Sequence, residues 1–231
     1  MLLALDTATG ALGAAVLDGG RVLAEVTHQD SRRHGELLAP AVEDSLARAG
    51  ATVPDLTAVV VGVGPGPYTG LRVGIVTGLV LAQVRGLPVY GICSLDALAE
   101  QAHAAQVADG AFLVATDARR KEVYWARYAV EQGTVRRTGG PGVARAADLP
   151  DEVRSLPAVG RGPLLYDVLT RAAADAPVEV SPGLLGVVAH RALTAGERVV
   201  EDPADGILLP PEPLYLRRPD AVEPGPVKVV S

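Results

Sequence analysis

Leu2-Leu3-Ala4-Leu5-Asp6 is a short apolar run ending in an acid, and Leu113-Val114-Ala115-Thr116-Asp117 repeats that pattern near the middle of the chain. Each is followed by a hairpin signal. After Asp6 come a strand at Leu12 to Leu17, the turn Asp18-Gly19-Gly20 and a strand at Arg21 to Thr27. After Asp117 come a strand at Glu122 to Val130, the turn Glu131-Gln132-Gly133 and a strand from Thr134 to Arg137. Both halves then alternate helix and strand. In the first half the pattern predicts helices over 34–49, 69–85 and 95–107, with strands over 57–63 and 88–92. The second half reads as an irregular stretch at 139–150, a strand at Ala158-Val159-Gly160, helices near 163–174 and 183–196, and a strand at Val178 to Val180. A three-strand meander leading into helix-covered parallel strands, used twice, is an α/β architecture of two lobes, each a mixed sheet covered by helices. The expected division is 1–100 for the first lobe and 101–231 for a smaller, divergent second lobe, with a proline-rich tail from Pro203 to Pro226.

The whole chain sets bounds on function. Its 231 residues are 48% hydrophobic, enough for a substantial core. The longest apolar helix candidate, 73–84, lies between Arg72 and Arg85 and falls short of the ~20 residues needed to span a bilayer. The N-terminus reads directly as a strand, without a basic segment or a cleavage site, so a cytoplasmic protein is expected. A single cysteine, Cys93, excludes an internal disulfide and reads as a buried apolar residue. A net charge of −6 argues against this chain alone gripping a nucleic acid backbone. The short basic clusters Arg32-Arg33-His34, Arg119-Arg120-Lys121 and Arg217-Arg218 read first as solvated surface.

The loop Gly64-Pro65-Gly66-Pro67-Tyr68-Thr69-Gly70-Leu71-Arg72 sits between a strand and a helix, where backbone amides bind phosphate. It matches neither standard fingerprint. Gly70 is followed by Leu71 and Arg72 instead of lysine and a hydroxyl residue, and the dinucleotide spacing fails. Gly64 and Gly66 are therefore phosphate contacts, parts of a structural turn, or contacts to a partner. Asp6 and Asp117 either hold magnesium through water or simply form turns. In the helix that follows, Gly70, Gly74, Gly78 and Ala82 recur every four residues on one face. With nothing larger than a methyl there, that face reads as a docking surface for a closely approaching helix. The four histidines, His28, His34, His103 and His190, lack paired metal-ligand spacing. Ser31, Ser45, Ser94 and Ser181 read as helix caps or surface polar residues, and no nucleophile elbow is present.

Four motifs in order, Leu3-Ala4-Leu5-Asp6-Thr7-Ala8, Arg33-His34-Gly35-Glu36-Leu37-Leu38, the glycine-proline loop and Cys93-Ser94-Leu95-Asp96-Ala97-Leu98, resemble the TsaB (YeaZ) family. Pro213-Leu214-Tyr215-Leu216-Arg217 is similar to a tail element of the same family. The resemblance implies a duplicated actin-like ATPase fold, shared with sugar kinases and heat-shock ATPases, and a role in making threonylcarbamoyladenosine beside the tRNA anticodon. It further implies a non-catalytic scaffold that heterodimerises with a TsaD-type catalytic subunit. Aligned with the metal-binding His-x-x-x-His motif of that paralogue, this sequence has Ser94 and Leu98, neither of which supplies the nitrogen donors a transition metal needs.

The partner interface implied is His34, Leu38, Val42, Leu46, Gly70, Gly74, Gly78 and Ala82. A TsaE-type ATPase would join through the heterodimer, tRNA would be met only through the complex, and the chain alone would form a homodimer. No tightly bound cofactor is implied, with ATP and magnesium entering only in the complex. The alternative is an independent nucleotide-binding enzyme of the same superfold using Asp6 and Asp117 on magnesium. The old glycoprotease label of the family has no nucleophile or metal here to support it.

Overall fold

The computed structural model describes residues 1–29 and 33–217. The first sheet begins with a meander of β1 (Leu2–Asp6), β2 (Leu12–Asp18) and β3 (Arg21–His28). The chain continues through α1 (His34–Ala49), β4 (Ala58–Gly64), α2 (Tyr68–Arg85), β5 (Val89–Cys93) and α3 (Ser94–Ala104). A second meander, β6 (Ala111–Asp117), β7 (Glu122–Glu131) and β8 (Thr134–Arg145), is followed by α4 (Asp151–Arg154), β9 (Ala158–Val159), α5 (Gly162–Leu165), α6 (Pro182–Thr194) and β10 (Leu208–Leu209). The sheets run β10-β5-β4-β1-β2-β3 and β8-β7-β6-β9. In each, the leading strand lies between its antiparallel hairpin partner and a parallel strand reached by a crossover. The α/β class and the two mixed sheets agree with the expectation from sequence.

The short apolar runs form central strands because both of their faces are covered. Every residue of β1 is buried. Alternation sends Leu5 and Thr7 toward α2 and Ala4 toward α6, so glycines on those helices meet them directly. Gly50 and Gly86 end α1 and α2 in the left-handed conformation, at φ of 63° and 65°, and their amides return to carbonyls of the last turn.

Several boundaries differ from the expectation. β8 runs on to Arg145, because register shifts against β7 absorb Gly139-Gly140-Pro141 at the sheet edge, where proline needs no ladder partner. The helix expected near 163–174 is one turn, Gly162–Leu165. Beyond it the backbone pairs with β9: Ala158 donates to Thr170 O at 2.7 Å and Ala172 donates to Ala158 O at 2.9 Å. Val178 to Val180 is extended but joins no sheet. Sheet membership also departs from a division at residue 100. α6 packs on β1, β2 and β3, and β10 pairs with β5, so the last third of the chain returns to the first sheet.

Candidate functional site

A cavity of about 450 Å³ opens between the β1–β2 turn, the start of α2, the end of β6 and the segment around Glu179. Its wall contains Asp117 but not Asp6. Asp6 is buried, and both carboxylate oxygens are engaged from within the fold. Ala8 N donates to Oδ1 at 2.8 Å, and Ser94 Oγ donates to Oδ2 at 2.6 Å while accepting from Gly64 N at 3.2 Å. Gly62 makes the pair sterically possible, since a Cβ there would stand 1.8 Å from Asp6 Oδ2. Burial lifts the Asp6 carboxyl to about 6 against the opposing pull of the Ser94 and Ala8 hydrogen bonds, with a smaller push from Glu179.

Asp117 accepts from the Arg119 amide at 2.8 Å and pairs with its guanidinium at 3.4 Å. Arg119, Arg120 and Lys121 form the β6–β7 turn with three successive φ values of 62°, 55° and 65°. The glycine-proline loop is structural. Gly64 and Gly66 are buried, and a Cβ on Gly66 would lie 2.4 Å from the Ala8 carbonyl oxygen, so glycine here permits backbone to pack on backbone. The residues expected to hold magnesium and phosphate thus do not fit that role: Asp6 is enclosed and hydrogen-bonded, Asp117 is tied to Arg119, and Gly64 N is taken by Ser94.

Glu179 completes the cleft. Its Oε2 accepts from Gly10 N at 2.7 Å and Ala11 N at 3.3 Å, and its Oε1 accepts from Arg161 Nη1 at 3.1 Å. The side chain is only 11% exposed. The flanking backbone is pinned on both sides: Gly160 N donates to Pro177 O at 2.8 Å, and Ser181 N donates to Gln101 Oε1 at 3.2 Å. Ser181 also caps α6, accepting from Leu184 N at 3.1 Å, as expected of a cap.

The helix face reverses the expectation. Gly70, Gly74, Gly78 and Ala82 turn inward onto their own sheet. A Cβ on Gly74 would come within 2.4 Å of Thr7 Oγ1, and one on Gly78 within 2.4 Å of Val61 Cγ1. The small residues let α2 sit close over the branched side chains of β1 and β4. Leu38, Val42 and Leu46 are likewise core residues under α1. His34 opens α1, and its side chain lies outside the described residues, as do Ser31, Arg32 and Arg218. The outward face of α2 carries apolar residues of its own: Val76, Leu79, Val80 and Val84 are exposed, Val84 at 80%, while Leu71 and Ile75 are buried on the inward side. At the N-terminal end of α2, Tyr68 stacks on Tyr215 at 5.1 Å, and the Arg72 guanidinium lies 3.9 Å above the Tyr68 ring. The tail continues to Arg217, which donates to the Ala118 carbonyl at 3.0 Å and pairs with Glu122, tying the two sheets together.

Ser94 and Leu98 are both buried, the former bonded to Asp6 and the latter packed in the core. No group of three or more metal-binding side chains occurs among the described residues. Cys93 is buried and burial pushes its thiol up to about 12, which leaves it an inert thiol. Beside it, Asp96 pairs with Arg137 at 3.3 Å and accepts from Tyr128 OH at 2.6 Å; Arg137 reaches on to the carbonyls of Pro203 and Gly206. No helix among the described residues is long and apolar enough to cross a membrane. Sequence reasoning missed Glu179, Arg161 and the Ser94–Asp6 pair, whose members lie far apart in the chain. The outward valines of α2 were legible as apolar, but the side they occupy was not.

Comparison with known proteins places these features in context. The sequence model of the TsaD family, described as tRNA N6-adenosine threonylcarbamoyltransferase, matches residues 21–159. An uncharacterised protein of Mycobacterium tuberculosis is 43% identical over 227 residues, covering 95% of this chain and 93% of that protein. The tRNA threonylcarbamoyladenosine biosynthesis protein TsaB of Escherichia coli is 39% identical over 127 residues, 55% of this chain and 54% of its own length. Among solved structures, YeaZ from Pseudomonas aeruginosa matches with a TM-score of 0.75 and 32% identity, covering 93% of this chain and 99% of that one.

Proposed function

Because this chain belongs to the TsaB (YeaZ) family, named for tRNA threonylcarbamoyladenosine biosynthesis, we propose that it is the non-catalytic partner of a TsaD-type threonylcarbamoyl transferase. The observation that carries this reading is the outward face of α2, where Val76, Leu79, Val80 and Val84 stand exposed along one helix. Unpartnered apolar residues in such a row fit a surface buried against another protein. Supporting it, the two positions aligned with the catalytic paralogue's histidines hold Ser94, committed to Asp6, and Leu98, committed to the core. The chain thus supplies a rigid lobe and a helix face, and the partner supplies the metal and the transfer chemistry. The same face pairs with a second copy when the partner is absent. A TsaE-type ATPase joins the heterodimer, ATP and magnesium enter with that assembly, and tRNA is engaged by the complex in the cytoplasm.

The test is isothermal titration against the TsaD-type subunit of the same organism, with a threonylcarbamoyl transfer assay on each protein alone and on the mixture. Transfer is expected only in the mixture. Val80→Asp, which places a charge on an exposed helix position, is expected to leave folding intact and weaken association by roughly 30-fold or more, the cost of a central hot spot. Unchanged affinity would remove the α2 face from the interface, and transfer by this chain alone would refute the non-catalytic role.

A further inference from the structure

The cleft is built to hold an anion, and the chain itself supplies one. Two successive amides, Gly10 N and Ala11 N, point at a single carboxylate oxygen, at 2.7 Å and 3.3 Å, and Arg161 meets the other at 3.1 Å. Converging turn amides with a guanidinium are the groups that bind a phosphoryl oxygen elsewhere. Gly10 is matched to this approach, since a Cβ there would stand 2.9 Å from Glu179 Oε1. Beyond the carboxylate, the 450 Å³ cavity continues past Thr69 and Thr116 to Arg119, leaving room for the remainder of a ligand. The Glu179 backbone is fixed from both sides, so its side chain is presented to the amides in a set position.

We propose that Gly10, Ala11 and Arg161 form an anion site for a phosphate group that Glu179 occupies as an internal ligand, closing the cleft to nucleotides in the resting chain. The superfold resemblance would lead one to expect a nucleotide with magnesium in this cleft, and the residues present do not fit it. The negative charge is already in place, and the acid that would face the metal is buried on Ser94. A tethered carboxylate acts at an effective concentration in the millimolar range or above, so an external phosphate of similar intrinsic affinity for these groups must exceed that range to displace it. The inference is independent of which partner covers α2.

The experiment is titration of inorganic phosphate, and separately of ADP without magnesium, into the wild-type chain and Glu179→Ala. Wild type is expected to show no saturation up to about 10 mM of either. The alanine variant is expected to bind phosphate at least about tenfold more tightly, and the second change Arg161→Ala to abolish that gain. ADP binding more tightly than phosphate would extend the site into the cavity, and equal affinities would confine it to the phosphate group; both support the site. A folded Glu179→Ala that gains no binding, or a wild-type chain that binds as tightly as the variant, would overturn it. Should the variant fail to fold, the wild-type Gly10 and Ala11 amide resonances decide. They are expected to stay fixed at about 10 mM phosphate, and movement would overturn the internal occupancy.

Discussion

Gly74→Ala in the isolated chain separates two uses of the small-residue face. On an open docking surface the substitution would stabilise α2 by up to about 1 kcal/mol, the difference in helix propensity. On a face packed against its own sheet it must destabilise. The new Cβ would stand 2.4 Å from Thr7 Oγ1, which now donates to the Gly70 carbonyl at 2.8 Å and is fully buried. Overpacking costs about 1–3 kcal/mol, and displacing the buried hydroxyl from its acceptor costs about 1–3 kcal/mol more. Set against the propensity gain, the net loss is centred on about 3 kcal/mol, a fall of roughly 6–12 °C in Tm for a chain of this size. Gly35 provides the control within α1, because a Cβ there meets nothing within 4 Å, and Gly35→Ala is expected to be neutral or stabilising. Adding Thr7→Ala to Gly74→Ala should recover at least about 1 kcal/mol in a double-mutant cycle. Urea denaturation of the four variants measures all of these. Gly74→Ala as stable as wild type would refute the inward packing and restore the face to a partner.

Two further outcomes concern the buried acids. Asp6 has its carboxyl raised from 3.8 to about 6, chiefly by burial, so its contribution to stability is fully present below pH ~4 and lost as pH rises through ~6. That rise is worth about 3 kcal/mol, and Asp6→Asn should lack this part of the pH dependence; parallel stability curves for the two proteins between pH 4 and 8 would refute it. Arg137→Met leaves Asp96 buried without its cation, at a cost of about 3–5 kcal/mol near neutral pH. Since burial already raises the Asp96 carboxyl, the loss should shrink as the pH falls and the acid takes up its proton, and it should bring faster proteolysis near Pro203 and Gly206, whose carbonyls Arg137 holds. A loss independent of pH would count against the ion pair as its source.

The strands and long helices of the first hundred residues were legible because each carries a local period and its own stop signal: α1 ends at Gly50 and α2 at Gly86 in the left-handed turn their glycines allow. The second half was harder. Residues 163–174 have helical composition, yet Thr170 and Ala172 exchange backbone hydrogen bonds with Ala158 of β9, a partner that no local window contains. The face of α2 failed for a related reason. Its period of four identified the small side, and composition identified the apolar side. Which of these met the sheet depended on the branched side chains of β1 and β4 beneath it, and close approach over Val61 and Thr7 requires glycine.

By itself, then, the sequence determined the α/β class, the two strand meanders, the order of elements in the first hundred residues and the family motifs, all of which rest on short-range pattern. Tertiary structure alone decided that Asp6 is enclosed by Ser94, that Glu179 crosses 169 positions of chain to reach Gly10, and that α2 turns its valines outward. Those outcomes depend on which surfaces come within a few ångströms of one another, and only the packed chain brings residues so distant in sequence together.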